Sequence, residues 1–176
     1  MFITDPRPVQ PANLCVHGLE TAELFLLLML RLWAQPRSSS DGTGAGSLAE
    51  WQDGFVAAGL AAPEMAAFED LFKIQAVVGA RRLDICGRGN ARLSMDEARF
   101  LALVGLIQRD SLDDAEAVLG AWLPASGVRL ALPHAVILAT GLTRRNLIVP
   151  LRCVLTETGA TSRVVPYPDP GLRLTH

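Results

Sequence analysis

Seven residues between two helix-forming stretches carry the densest chemistry in the chain: Cys86-Gly87-Arg88-Gly89-Asn90-Ala91-Arg92. A cysteine thiolate is a nucleophile. An arginine fork holds two oxygens of one anion. Glycines let backbone N–H groups turn inward, and a helix start just beyond adds positive potential. Cys86 is therefore the candidate nucleophile. Arg81, Arg82, Arg88 and Arg92, opposed locally only by Asp84, are the candidate anion ligands.

The spacing Cys86-x-x-Gly89-x-x-Arg92 is similar to the phosphate loop of cysteine-dependent phosphatases. The resemblance implies attack by Cys86 on phosphorus while Arg92 clamps the phosphate oxygens. It covers these residues alone. Ile85 and Leu93 stand where that family has His and Ser or Thr, and the helix signal at Ser94 falls two residues late. The parallel sheet that such a loop requires has no counterpart upstream, where the patterns are helical. Two other readings need no reaction. One is a tight interhelical turn made by Gly87, Gly89 and Asn90, with a half-buried structural cysteine. The other is an arginine-lined cradle for a phosphate or a partner's carboxylate.

No other constellation converges. Cys15-Val16-His17 offers half a metal site, and His134, Cys153 and His176 lie far off in sequence, so no metal or cofactor is expected. There is no Gly-x-Ser-x-Gly elbow to pair with His17 or His134. Asp113-Asp114 and Glu69-Asp70 are adjacent pairs whose side chains diverge on a helix. Trp33, Trp51 and Trp122 read as core or groove anchors.

The composition is that of a packed globule: 50% hydrophobic and 19% charged over 176 residues. The net charge of −2 hides an asymmetry. Residues 1–125 carry a net −6 and residues 126–176 a net +4. Neither part is a polybasic nucleic-acid surface. The three cysteines, at 15, 86 and 153, form no CxxC and fit a reducing compartment. No signal pattern opens the chain, and the longest apolar run, Leu24–Leu30, is too short to span a bilayer. A cytoplasmic protein without membrane or nucleic-acid partners is expected.

The elements that must position the loop read as helices. One runs from about Asn13 or Gly18 to Ala34 and, being apolar on every side, belongs at the centre of a bundle. Residues 35–46 form a flexible loop. Ser47-Leu48-Ala49-Glu50 is a capping box for a helix to Gly59, and Pro63 opens another to Val78. Ser94-Met95-Asp96-Glu97 is a second capping box, and Ser111-Leu112-Asp113-Asp114 a weaker start. Residues 94–124 thus form an αα-hairpin, with Gly105 allowing close packing. Pro133–Leu142 reads as a short helix starting at Pro133. Residues Leu147–Thr156 and Ser162–Tyr167 predict a small β-hairpin, or an extended appendage over about 145–176.

The whole chain, 1–176, is expected to be one mainly α domain of five to six helices. The functional expectation is a non-enzymatic helical adaptor, regulator or self-associating protein with a protein partner. The alternative is an anion- or phosphate-binding protein, or a phosphatase-like or thiol enzyme, built on Cys86–Arg92.

Overall fold

Ser94 opens a helix as its sequence predicts. Its hydroxyl accepts a hydrogen bond from the Glu97 N–H at 3.1 Å, and the Glu97 carboxylate accepts from the Ser94 N–H at 2.8 Å. This reciprocal box starts the central element of a computed structural model that describes residues 16–35 and 49–151. Among them are six α-helices: α1 (Thr21–Trp33), α2 (Ala49–Ala57), α3 (Ala62–Val78), α4 (Met95–Ile107), α5 (Leu112–Gly120) and α6 (Ala125–Arg144). A 3₁₀ turn, Val16–Gly18, precedes α1. No strand occurs among the described residues.

The fold is mainly α, and α4 is its axle. Eleven of the thirteen α4 residues are buried. Around it, Phe68 of α3 gathers the aromatic core, with ring centroids 5.1 Å from Phe55 and Phe72, 5.4 Å from Trp51 and 6.1 Å from Phe100. Such ring pairs add roughly 0.5–1.5 kcal/mol each beyond the apolar area they bury. One side chain thus ties α2, α3 and α4 together, and Trp33 of α1 meets it edge-on at 6.5 Å.

The αα-hairpin is α4 and α5. Ser111 makes no side-chain cap, so α5 begins with its first N–H groups uncapped. Asp110 adopts the left-handed conformation (φ 59°) that lets the chain reverse so tightly. Gly105 does not serve the hairpin. A Cβ there would lie 3.2 Å from the Val149 carbonyl and from Leu151, so the glycine admits the segment after α6.

Three other expectations change. Helix α1 is not apolar-buried on all sides: Leu24 and Leu28, one turn apart, are 41% and 42% exposed. Pro133 does not start a helix; α6 begins after Pro124 and carries Pro133 in its interior. The buried positions Val128, Ala131, Ala135, Leu138 and Leu142 keep a helical period through the proline, which lies on the exposed face. Leu147–Leu151 is not a strand. The Gln108 amide substitutes for a neighbouring strand, donating to the Leu147 carbonyl at 2.9 Å and accepting from the Val149 N–H at 2.8 Å. The remainder of the proposed β-hairpin, the 36–46 loop, Ser47 of the first capping box, Cys15 and Cys153 lie outside the described residues.

By length and composition α6 could cross a membrane. Its inner face, including Ala131, Ala135, Leu138 and Ala139, is buried against the bundle.

Candidate functional site

The segment from Gly79 to Leu93 links α3 to α4 without helix or strand ladders of its own, so its polar groups need other partners. Two carboxylates at the start of α4 supply them. Asp96 is 2% exposed. It accepts both Nη atoms of Arg81, at 2.6 and 2.7 Å, and the Asp84 N–H at 2.8 Å. It also takes the Trp122 indole N–H at 3.1 Å and Arg99 Nη1 at 3.2 Å. The Ser94 hydroxyl donates to the Asp84 carbonyl and fixes the loop from the other side.

Glu97 holds the middle of the loop. Its carboxylate accepts the Cys86 N–H at 3.0 Å and, besides the Ser94 N–H, two bonds from Arg31 of α1 at 2.7 and 3.0 Å. The Arg31 guanidinium then donates to the Asn90 and Arg92 carbonyls, each at 2.7 Å. One arginine therefore joins a helix, a carboxylate and the tip of the loop. The side chains of Arg31 and Glu97 are 3% and 0% exposed.

Burial alone would raise both carboxyl pKa values. For Asp96 the Arg81 fork, the Asp84 N–H and the Trp122 indole outweigh it, and the pKa falls to about 2. For Glu97 the Arg31 fork and the two N–H groups win likewise, and its pKa is lowered. Arg31 is raised by its bond to Glu97 against the opposing effect of burial. Both pairs are ionised near neutrality.

Cys86 is half-buried, with a free thiol. Burial pushes its pKa up and the Glu97 charge pushes it further, against a smaller opposing pull from Arg31. The environment favours the thiol over the thiolate. The positive end of α4, which would greet a bound anion, already faces Asp96 and Glu97 in the helix's own first turn.

The four candidate arginines do not gather at one point. Arg81 is turned onto Asp96, where the sequence offered only Asp84 as a local counter-charge. Arg81 and Arg82 border a groove of about 620 Å³ between the ends of α1 and α3, with Trp33, Gln75, Leu83 and Ile85 among its walls. Arg88 and Arg92 are exposed and do not line it. Gln75 is buried and its amide N–H donates to the Arg81 carbonyl at 2.7 Å.

In the sequence Asp96 and Glu97 read as capping residues, which hides their hold on the loop, and Arg31 carries no motif that marks it. The available signal was a lone charge inside Leu-Met-Leu-Arg-Leu-Trp, a position at which an unpaired cation is too costly to bury. His134 stands 4.0 Å from Asp70, and His17 is exposed. Among the described residues no three His, Cys, Asp or Glu side chains converge on a metal-sized site. No family model, curated protein or solved structure matches the chain.

Proposed function

We propose that this chain is a non-enzymatic helical interaction module, acting as an adaptor or by self-association. The observation that carries the reading is the use made of the loop's polar groups. Asp96 and Glu97 accept nine hydrogen bonds between them, all from the loop, α1, α4 or Trp122. A catalytic loop needs groups poised for substrate. Here the strongest acceptors are spent on keeping the loop in place, and burial with the Glu97 charge pushes the Cys86 thiol pKa up.

The fold also leaves several large apolar side chains exposed. Leu24, Leu28, Val56, Val77, Leu112, Leu130 and Ile137 are all exposed. Leu130 and Ile137 are two turns apart on α6, with Pro133 between them on the same exposed face.

The test is alkylation of Cys86 against pH, with Cys15 and Cys153 replaced by Ser. The expected profile is that of a thiol titrating above the ordinary value of about 8.5. A thiolate present at neutral pH would overturn the reading and return the loop to nucleophilic chemistry.

A further inference from the structure

We infer that the groove beside Trp33 receives the start of α5 from a second copy of this chain, so that molecules associate head to tail. The inference deepens the interaction reading above and rests on it.

The groove is lined by apolar side chains and by two arginines, of which Arg81 is already paired with Asp96 and Arg82 is not. Trp33, Leu83 and Ile85 line it with Arg81 and Arg82, and no carboxylate is among its lining residues. The Arg82 guanidinium has no hydrogen bond or ion pair among the described residues. The Gln75 N–H is fixed on the Arg81 carbonyl. An occupant that brings apolar bulk and negative charge complements this lining.

The start of α5 has both. Leu112 is 44% exposed, with two acids directly after it in the first turn of α5. Asp110, Asp113, Asp114 and Glu116 surround it in sequence, all exposed, and no cation falls between 110 and 121. The nearest cation in sequence, Arg109, turns back to the Gly105 and Val149 carbonyls at 2.7 and 2.8 Å. Arg145, after α6, lies against Gly59.

One molecule cannot satisfy itself. The Trp122 carbonyl, past the end of α5, accepts the Ala80 N–H at 3.3 Å, so that end of α5 lies beside the loop and the groove. Leu112 is at the opposite end of the helix, on the order of 13 Å away at 1.5 Å per residue. The basic groove and the acidic knob thus point to opposite ends of the α4–α5 hairpin. Complementary patches so placed make a heterologous contact between copies.

Sedimentation of the full chain tests this over a concentration series at low and high salt. The expected result is a mass that rises with concentration at low salt and falls back toward the monomer at high salt. Arg82→Glu alone, and Asp113→Arg with Asp114→Arg alone, should each weaken association by about tenfold or more. Mixing the two variants should restore it, because each then meets a complementary surface on the other. Circular dichroism of each variant checks that the helices remain. A wild-type chain that stays monomeric up to near-millimolar concentration overturns the inference. So does association that ignores salt and both variants, or a mixture that fails to associate. A monomer whose Cys86 remains unreactive at neutral pH would sink this contact alone. A neutral-pH thiolate would sink the interaction reading beneath it.

Discussion

Arg31 and Glu97 are 66 residues apart in sequence and 2.7 Å apart in the fold, both shut away from solvent. A buried ion pair is weak evidence for net stability, because desolvation offsets the attraction. Breaking one is a different matter. Arg31→Ala would strand the Glu97 charge and release the Asn90 and Arg92 carbonyls. The expected loss is about 3–5 kcal/mol by urea unfolding. Arg31→Lys should recover only part of it, since an ammonium cannot reproduce the fork and both carbonyl bonds together. Equal stability of Arg31→Lys and wild type would show that charge alone matters at this position.

Acid should unfold the protein by way of the same loop. Asp96 has a pKa of about 2 in the fold, against 3.8 ordinarily. A carboxyl whose pKa is lowered on folding contributes stability above its unfolded pKa and loses it as pH falls through the folded value. The contribution is about 2 kcal/mol, fully present above roughly pH 5 and lost progressively toward pH 2. The lowered Glu97 pKa acts in the same direction. Urea midpoints measured from pH 6 to pH 2 should fall, and Asp96→Asn should flatten that fall. An unchanged slope in Asp96→Asn would place the acid sensitivity elsewhere.

The helices were legible because their starts and stops are local. Ser94 and Glu97 are three residues apart, Pro63 sits in the first turn of α3, and of the periodic stripe Leu112, Ala115, Val118, Leu119, Trp122 and Leu123 all are buried except Leu112, which is 44% exposed at the start of α5. Two kinds of fact were not legible. Pro133 reads as a boundary because proline removes a donor, and nothing local tells that it faces solvent, where the Arg129 carbonyl can be hydrated. The loop's partners were hidden for another reason. Arg81 pairs with Asp96 fifteen residues on, and Arg31 with Glu97 across the bundle. A capping motif accounts for Asp96 and Glu97 so fully in sequence that it masks their second use. The candidate arginines were found; the acids that hold one of them were not.

Gln108 offers a sharper check on the packing of the segment after α6. Its amide meets the backbone of Leu147 and Val149 as a strand would, and Val149 is fully buried. Gln108→Ala leaves the Val149 N–H without its acceptor, at a cost of about 1–3 kcal/mol. Amide exchange at Val149 should accelerate accordingly, while amides within α3 keep their relative protection. Unchanged exchange at Val149 would mean that burial, not this bond, protects it.

Pro133→Ala is expected to stabilise the protein. An interior proline removes one helix hydrogen bond and crowds the carbonyl four residues earlier, costing about 3 kcal/mol in a regular helix. Here that carbonyl belongs to Arg129, and both residues are exposed, so alanine introduces no clash with the core. Hydration of the Arg129 carbonyl and local bending recover part of the cost, which leaves an expected gain of about 1–2 kcal/mol. A higher unfolding temperature, with association unchanged, is the predicted result. A lower one would show that the proline is required to seat Ala131, Ala135 and Leu138 against the bundle. The proline would then be a packing device of α6 and not an interruption that the helix tolerates.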